Sequence, residues 1–203
     1  MIRIRNFARG ARGVRVLWQC EEMALPYEFA SVTYPPGDDY LALNPLGSVP
    51  FLEDAGGVAI NESIAMMLYL AHKYGPTPLL PGKDDPALAR VLQLTILGEA
   101  TLGMGMNPLL EAKFSAPDED KRNWTVRTQE GRVERAIAYV ADLLGSSPFL
   151  VGDQLTLADI SVGTVIGMWR GALGQTLPDT LLAYKDRLSA RPAFQRAVAS
   201  CTA

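Results

Sequence analysis

The chain of 203 residues is short of the residue types that most often carry out chemistry. Its two cysteines, Cys20 and Cys201, lie far apart and outside any C-x-x-C pair, which argues against a disulfide framework, a zinc site and a dithiol redox centre. The one histidine, His72, falls in an apolar helical pattern without a second ligand nearby, so it reads as structural and no metal site is expected. Charge is nearly balanced at −3, which leaves no basic surplus to attract nucleic acid. No apolar run approaches the roughly 18 to 20 residues of a membrane span. Internal repeats, low-complexity tracts and a secretory signal are also missing, so the expected location is the cytoplasm.

A further shortage is local. No Ser, Thr, Tyr or Cys precedes Cys20, and no acid precedes Glu21, whereas Arg3, Arg5, Arg9, Arg12 and Arg15 do. An Arg-rich start is one mark of a transit peptide, but Ser enrichment is absent and the apolar pattern runs from Ile2 and Ile4 into the next element. The start therefore reads as part of the fold.

What is present falls into two halves. Residues 1–6 alternate as a half-buried strand, and Val14, Leu17 and Cys20 recur at helical spacing up to Leu25-Pro26. Residues 27–33 alternate again, and "YPPGDD" reads as a turn. "SVPFLED" and "VAINES" read as strands around a tight turn, and residues 63–74 as an amphipathic helix with Ile64, Met67, Leu68 and Ala71 on one face. This order predicts a small mixed sheet with helices packed on it over residues 1–74. Residues 75–85, rich in Pro and Gly, read as a linker. Residues 86–203 read as all-helical: a helix over 87–114 bent near Gly103, Gly105 and Pro108, another over 121–144, a buried one in "LTLADISVGTVIGMW", and two shorter ones.

Three stretches carry chemistry or its scaffolding. In "NPLGSVPFLED" Pro50 cannot donate to a ladder, so it belongs at a strand start, as an edge proline or after a cis bond that turns the Val49 backbone toward an extended ligand. In "NESIAMMLYLAHKYG" Ser63 is placed as an N-cap, and the exposed N–H groups there suit a carboxylate. In "LTLADI" Thr156 and Asp159 have capping-box spacing and a structural role.

In this order, "NPLGSVP", "ES" before the "YLAHKYG" helix and "LTLADI" resemble the soluble, cytosolic-type glutathione transferases, over nearly the whole chain. The resemblance implies a thioredoxin-like N-terminal domain, an all-helical C-terminal domain, glutathione as co-substrate and a homodimer. It implies that Val49, beside cis-Pro50, pairs with the cysteinyl backbone of glutathione, that Ser63 holds the γ-glutamyl carboxylate and that Glu62 meets the ammonium. Where many bacterial-type relatives have a lysine for the glycyl carboxylate, this chain has Ser48.

The resemblance also sharpens the local shortage. Aligning "RVLW" with relatives puts Ala11 where a hydroxyl is expected, and the tyrosine-type register puts Arg5 there. The thiolate is the nucleophile, and lowering a thiol pKa of about 8.5 by about two units takes roughly 2.7 kcal/mol. Arg9 or Arg12, with the Asn6 amide and the backbone amides around Gly10 and Ala11, are the expected stabilisers. Met104, Met106, Asn107, Trp169 and Arg170 are the expected acceptor pocket. The implied enzyme uses the glutathione thiolate on an electrophilic, largely apolar second substrate in detoxification. Disulfide or peroxide reduction, and a non-catalytic binding protein, are the alternatives.

Overall fold

A computed structural model describes residues 1–8 and 11–201. These form two compact units: residues 1–77 together with the segment from Ser189 on, and Pro78–Leu188.

The first unit opens with β1 (Ile2–Phe7), whose alternation buries Ile2, Ile4 and Asn6 and leaves Arg3, Arg5 and Phe7 on the other face. The basic start is answered there by acids on adjacent strands: Arg3 donates twice to Glu28 (3.1 and 2.9 Å) and Arg5 to Glu53 (2.7 Å). α1 (Gly13–Glu22) returns to β2 (Tyr27–Val32), which pairs parallel to β1. The segment read as a turn runs into a short helix, α2 (Asp38–Leu43). Two acids in its first turn favour it through the helix dipole, and six residues are too few to show periodicity. β3 (Phe51–Asp54), β4 (Val58–Ile60) and α3 (Ser63–Lys73) follow. The strand order is β2-β1-β3-β4, with β3 antiparallel to both neighbours.

On α3 the buried stripe is Ser63, Met66, Met67, Leu70 and Ala71, spaced i, i+3, i+4, i+7, i+8. That moves the core face off Ile64 and Leu68, which are half-buried, and leaves His72 exposed. By compactness the last helix, α9 (Pro192–Ser200), groups with this unit. It is fastened to α1 by Arg191 on Glu22 (2.6 and 2.7 Å), Arg196 on Glu21 (2.6 Å) and an edge-on contact of Phe194 with Trp18.

The second unit is helical: α4 (Ala87–Leu97), α5 (Met104–Phe114), α6 (Trp124–Leu144), α7 (Leu157–Gly171) and α8 (Asp179–Ser189), the last reaching its boundary. Between α4 and α5 the ladder widens into a π-helical stretch, Gly98–Gly103. The break therefore starts upstream of Gly105 and Pro108. At Gly98 a Cβ would come within 2.9 Å of the Ser161 and Val162 backbone, so only glycine lets α7 approach there. The Ser161 hydroxyl also donates to the Thr95 carbonyl (2.8 Å).

α7 begins with the capping box of Thr156 and Asp159. The Asp159 carboxylate, fully buried, also accepts from the Leu150 N–H and the Tyr184 hydroxyl, each at 2.8 Å. Burial pushes its pKa up, and those donors together with Thr156 work against the shift. No helix of the described residues is long and apolar enough to cross a membrane.

Candidate functional site

Strand register brings separate parts of the first unit to one edge of its sheet. β1 pairs with β3 as Arg5↔Phe51, so continuing the register sets Phe7 level with Val49. β3 pairs with β4 as Leu52↔Ile60, which sets Pro50 level with Glu62. The end of β1 therefore meets the Val49–Pro50 bond and the start of α3, although it precedes both by some 40 residues or more in sequence. Phe7 and Val49 both pack on the cluster of Val32, Tyr40 and Phe51.

The Val49–Pro50 bond is cis. The loop before it is pinned from inside. The Tyr40 hydroxyl donates to the Ser48 carbonyl (2.5 Å), and the Asn44 side-chain amide donates to the same carbonyl (2.7 Å). Asn44 is buried, with Asn61 Nδ2 3.5 Å from its side-chain oxygen. Val49 is half-buried, and the Ser48 residue is exposed.

At the start of α3 the N-cap position is taken by Glu62, with a left-handed φ of 70° and no side-chain capping bond. Ser63 is the first helical residue, not the cap expected from sequence. Its hydroxyl is buried and accepts a hydrogen bond from the Arg15 guanidinium (3.1 Å). Glu62 itself is exposed.

The turn after β1 is described only in part. Arg9 and Gly10 lie outside the described residues. Ala11 has φ 56°, a left-handed conformation that costs an L-residue about 1–2 kcal/mol. Arg12, half-buried, is the N-cap of α1. Asn6 does not face this turn from the surface. It is fully buried, with Gly13 so close that a Cβ there would overlap its amide, and it hydrogen-bonds the Cys201 thiol. Arg5 is held by Glu53. Cys20 is fully buried, and burial pushes its thiol up to about 12, which leaves it inert as a nucleophile.

The residues expected to line the acceptor pocket differ in their surroundings. Met106 and Trp169 are core residues of the helical unit, and the Trp169 indole N–H is spent on the Thr176 carbonyl (3.0 Å). Arg170 is exposed. Met104 is 55 % exposed, close to Asn107 (3.8 Å from its Nδ2 to the sulfur), and borders a groove of about 710 Å³ with Leu97, Thr101, Arg132 and Tyr139.

Arg15, Tyr40 and Asn44 were not singled out from sequence. An arginine in a short helix ordinarily reads as solvated. The available signal was the density of apolar residues around it: Val14, Val16, Leu17 and Trp18 leave α1 almost no polar face.

Comparison with known proteins agrees with this architecture. Residues 12–73 match the glutathione S-transferase N-terminal domain and residues 85–199 the C-terminal domain. Glutathione S-transferase GstA of Escherichia coli O157:H7 is 30% identical over 166 residues, 81% of this chain and 79% of its own length. Glutathione S-transferase Z2 of Arabidopsis thaliana is 28% identical over 208 residues, 97% of this chain and 90% of its own. Among solved structures, the theta class glutathione S-transferase of Xanthomonas axonopodis pv. citri with glutathione bound superposes with a TM-score of 0.81 at 27% identity, covering 97% of this chain and 96% of that one. With both halves of the chain matched by the family's two domains, this protein belongs to the glutathione S-transferase family.

Proposed function

We propose that this enzyme binds glutathione along the sheet edge formed by Val49–Pro50 and Glu62–Ser63 and directs the thiolate at an electrophilic, largely apolar substrate. The observation that carries the reading is the convergence of the β1 end, the Val49 loop and the Ser63 helix start at one edge, as the strand register requires. The Val49 N–H and C=O would pair with the cysteinyl backbone. Ser63, with the amides of the first α3 turn, would hold the γ-glutamyl carboxylate, and Glu62 its ammonium. Ser48 supplies no charge for the glycyl carboxylate, so that end would be held differently or more weakly.

The sulfur would lie toward the turn after β1. There Ala11 takes the position at which the resemblance expects a hydroxyl, and Arg12, the N-cap of α1, with the amides opening that helix would stand in for it. Arg9 remains a second candidate. Stabilising the thiolate by about 2.7 kcal/mol moves the thiol pKa by about two units, and a guanidinium together with a helix N-terminus would contribute to it without a protein nucleophile. Met104 and Asn107 remain candidate acceptor contacts. The protein is a cytoplasmic homodimer acting in detoxification on this reading.

A glutathione-affinity column combined with an aryl-halide conjugation assay tests the proposal. Retention with turnover supports it, and failure to bind glutathione contradicts it. A second reading, glutathione-dependent disulfide or peroxide reduction, is favoured by the missing hydroxyl before Cys20, since there glutathione alone supplies the sulfur chemistry. Turnover on disulfides or peroxides but not aryl halides would select it.

A further inference from the structure

α1 and α3 are joined by two side-chain hydrogen bonds with the same sequence offset. Arg15 Nη1 donates to Ser63 Oγ (3.1 Å), and Gln19 Nε2 donates to the Met67 carbonyl (2.9 Å), both across 48 residues. Equal offsets one turn apart mean that the two helices run parallel and in register, with their N-termini side by side. Arg15 and Gln19 have no accessible surface, so neither reaches a ligand directly, whereas Ser63 keeps 3% of its surface accessible.

The two bonds differ in what they end on. Gln19 meets a backbone carbonyl in mid-helix, whereas Arg15 meets the hydroxyl proposed to hold the γ-glutamyl carboxylate. A guanidinium has donors only, so Ser63 Oγ must accept from it. That occupies a lone pair of the hydroxyl and leaves its hydrogen for an outside acceptor. It also sets a fixed positive charge one hydroxyl away from a bound carboxylate, in surroundings that screen it poorly.

We propose that Arg15 is a positioning residue for glutathione: acting through Ser63, it turns the hydroxyl into an oriented, polarised donor for the γ-glutamyl carboxylate. The inference rests on the assignment of Ser63 made above. Arg15 then governs glutathione affinity and not the chemical step, and it has no effect on a thiol lacking the γ-glutamyl group.

The test is a double-mutant cycle on the full chain, with Arg15→Met, Ser63→Ala and both together, and with Gln19→Leu as the structural control. Calorimetry is run with glutathione and with cysteinylglycine, alongside steady-state kinetics. Arg15→Met is expected to weaken glutathione about 10- to 100-fold, the range of a hydrogen bond strengthened by charge. KM for glutathione rises correspondingly, while kcat and cysteinylglycine binding stay within about twofold. The double mutant should be no weaker than Ser63→Ala, and Gln19→Leu should bind glutathione as wild type does. Arg15→Lys, which keeps the charge, should recover part of the loss and supplies the comparison if the Met variant does not fold.

If Ser63→Ala weakens glutathione but the Arg15 effect adds to it fully, or falls equally on cysteinylglycine, Arg15 is a packing residue and the inference fails alone. If Ser63→Ala leaves glutathione binding unchanged, the assignment of Ser63 fails and the inference with it.

Discussion

In residues 1–77 the polar side chains withdrawn from water at Arg15, Tyr40 and Asn44 bond to segments that carry candidate glutathione contacts: Ser63 in one case, the Ser48 carbonyl beside Val49 in the others. In Pro78–Leu188 the fully buried carboxylate, Asp159, bonds to Leu150, Thr156 and Tyr184, all of its own unit and none a candidate contact. Both arrangements meet the cost of burying polar groups by pairing them. They differ in what a broken pair disturbs. In the first unit it shifts a ligand contact, and in the second it unlocks the start of the central helix.

That difference is broken most visibly at Asp159. Asp159→Ala strands the N–H groups of Leu150 and Thr156 and the Tyr184 hydroxyl in the interior, at about 1–3 kcal/mol each when not rescued by water. Urea unfolding should report a loss of about 3 kcal/mol or more, while the surviving folded protein keeps its KM for glutathione within about twofold. A large rise in KM with little loss of stability would place Asp159 among the binding groups.

Asn44→Ala should show the opposite balance: about 1 kcal/mol of stability lost and KM for glutathione raised about fivefold, because the Ser48 carbonyl loses one of its two anchors. Tyr40→Phe removes only the other anchor and leaves the ring packed on Phe51, so its effect should be similar or smaller. Equal KM in both variants and wild type would separate the loop from glutathione binding.

Much of this was legible in the sequence because it depends on short-range pattern. The strands, the α3 start, the proline before β3 and the Thr156–Asp159 box follow from alternation, backbone chemistry and capping spacing. What was not legible depends on long-range packing. Nothing within α9 says that it lies on α1, because the acids it needs, Glu21 and Glu22, are about 170 residues away. The burial of Arg15 is decided by α3, and the core positions of Met106 and Trp169 by neighbouring helices. The π-helical stretch begins at Gly98, where α7 approaches closely, and the local pattern does not contain that approach.

The buried carboxylates also respond oppositely to acid, which sharpens the comparison at smaller scale. At Asp54, burial raises the pKa, but hydrogen bonds from Tyr74, Lys73, the Ala55 N–H and Tyr69 outweigh it and hold the carboxyl well below its usual range. Asp54 therefore stabilises the fold above its unfolded pKa of about 4, and loses that contribution as pH falls through its lowered native value. Asp159 is raised by burial, so its contribution is complete below about pH 4 and is lost as pH rises through the native value. Between pH 6 and pH 3 the deficit of Asp54→Asn against wild type should shrink, and that of Asp159→Asn should grow. Parallel trends in urea titrations would refute the assigned signs.

The central claim is that the enzyme activates glutathione without a hydroxyl or thiol of its own at the turn after β1. Ultraviolet titration of the bound thiol tests it directly, in wild type, Arg9→Ala and Arg12→Ala. The account predicts a bound thiol about two units below the free value of about 8.5, rising back in at least one arginine variant. A bound thiol that ionises as it does free in solution, or a lowered value unchanged in both variants, would contradict it.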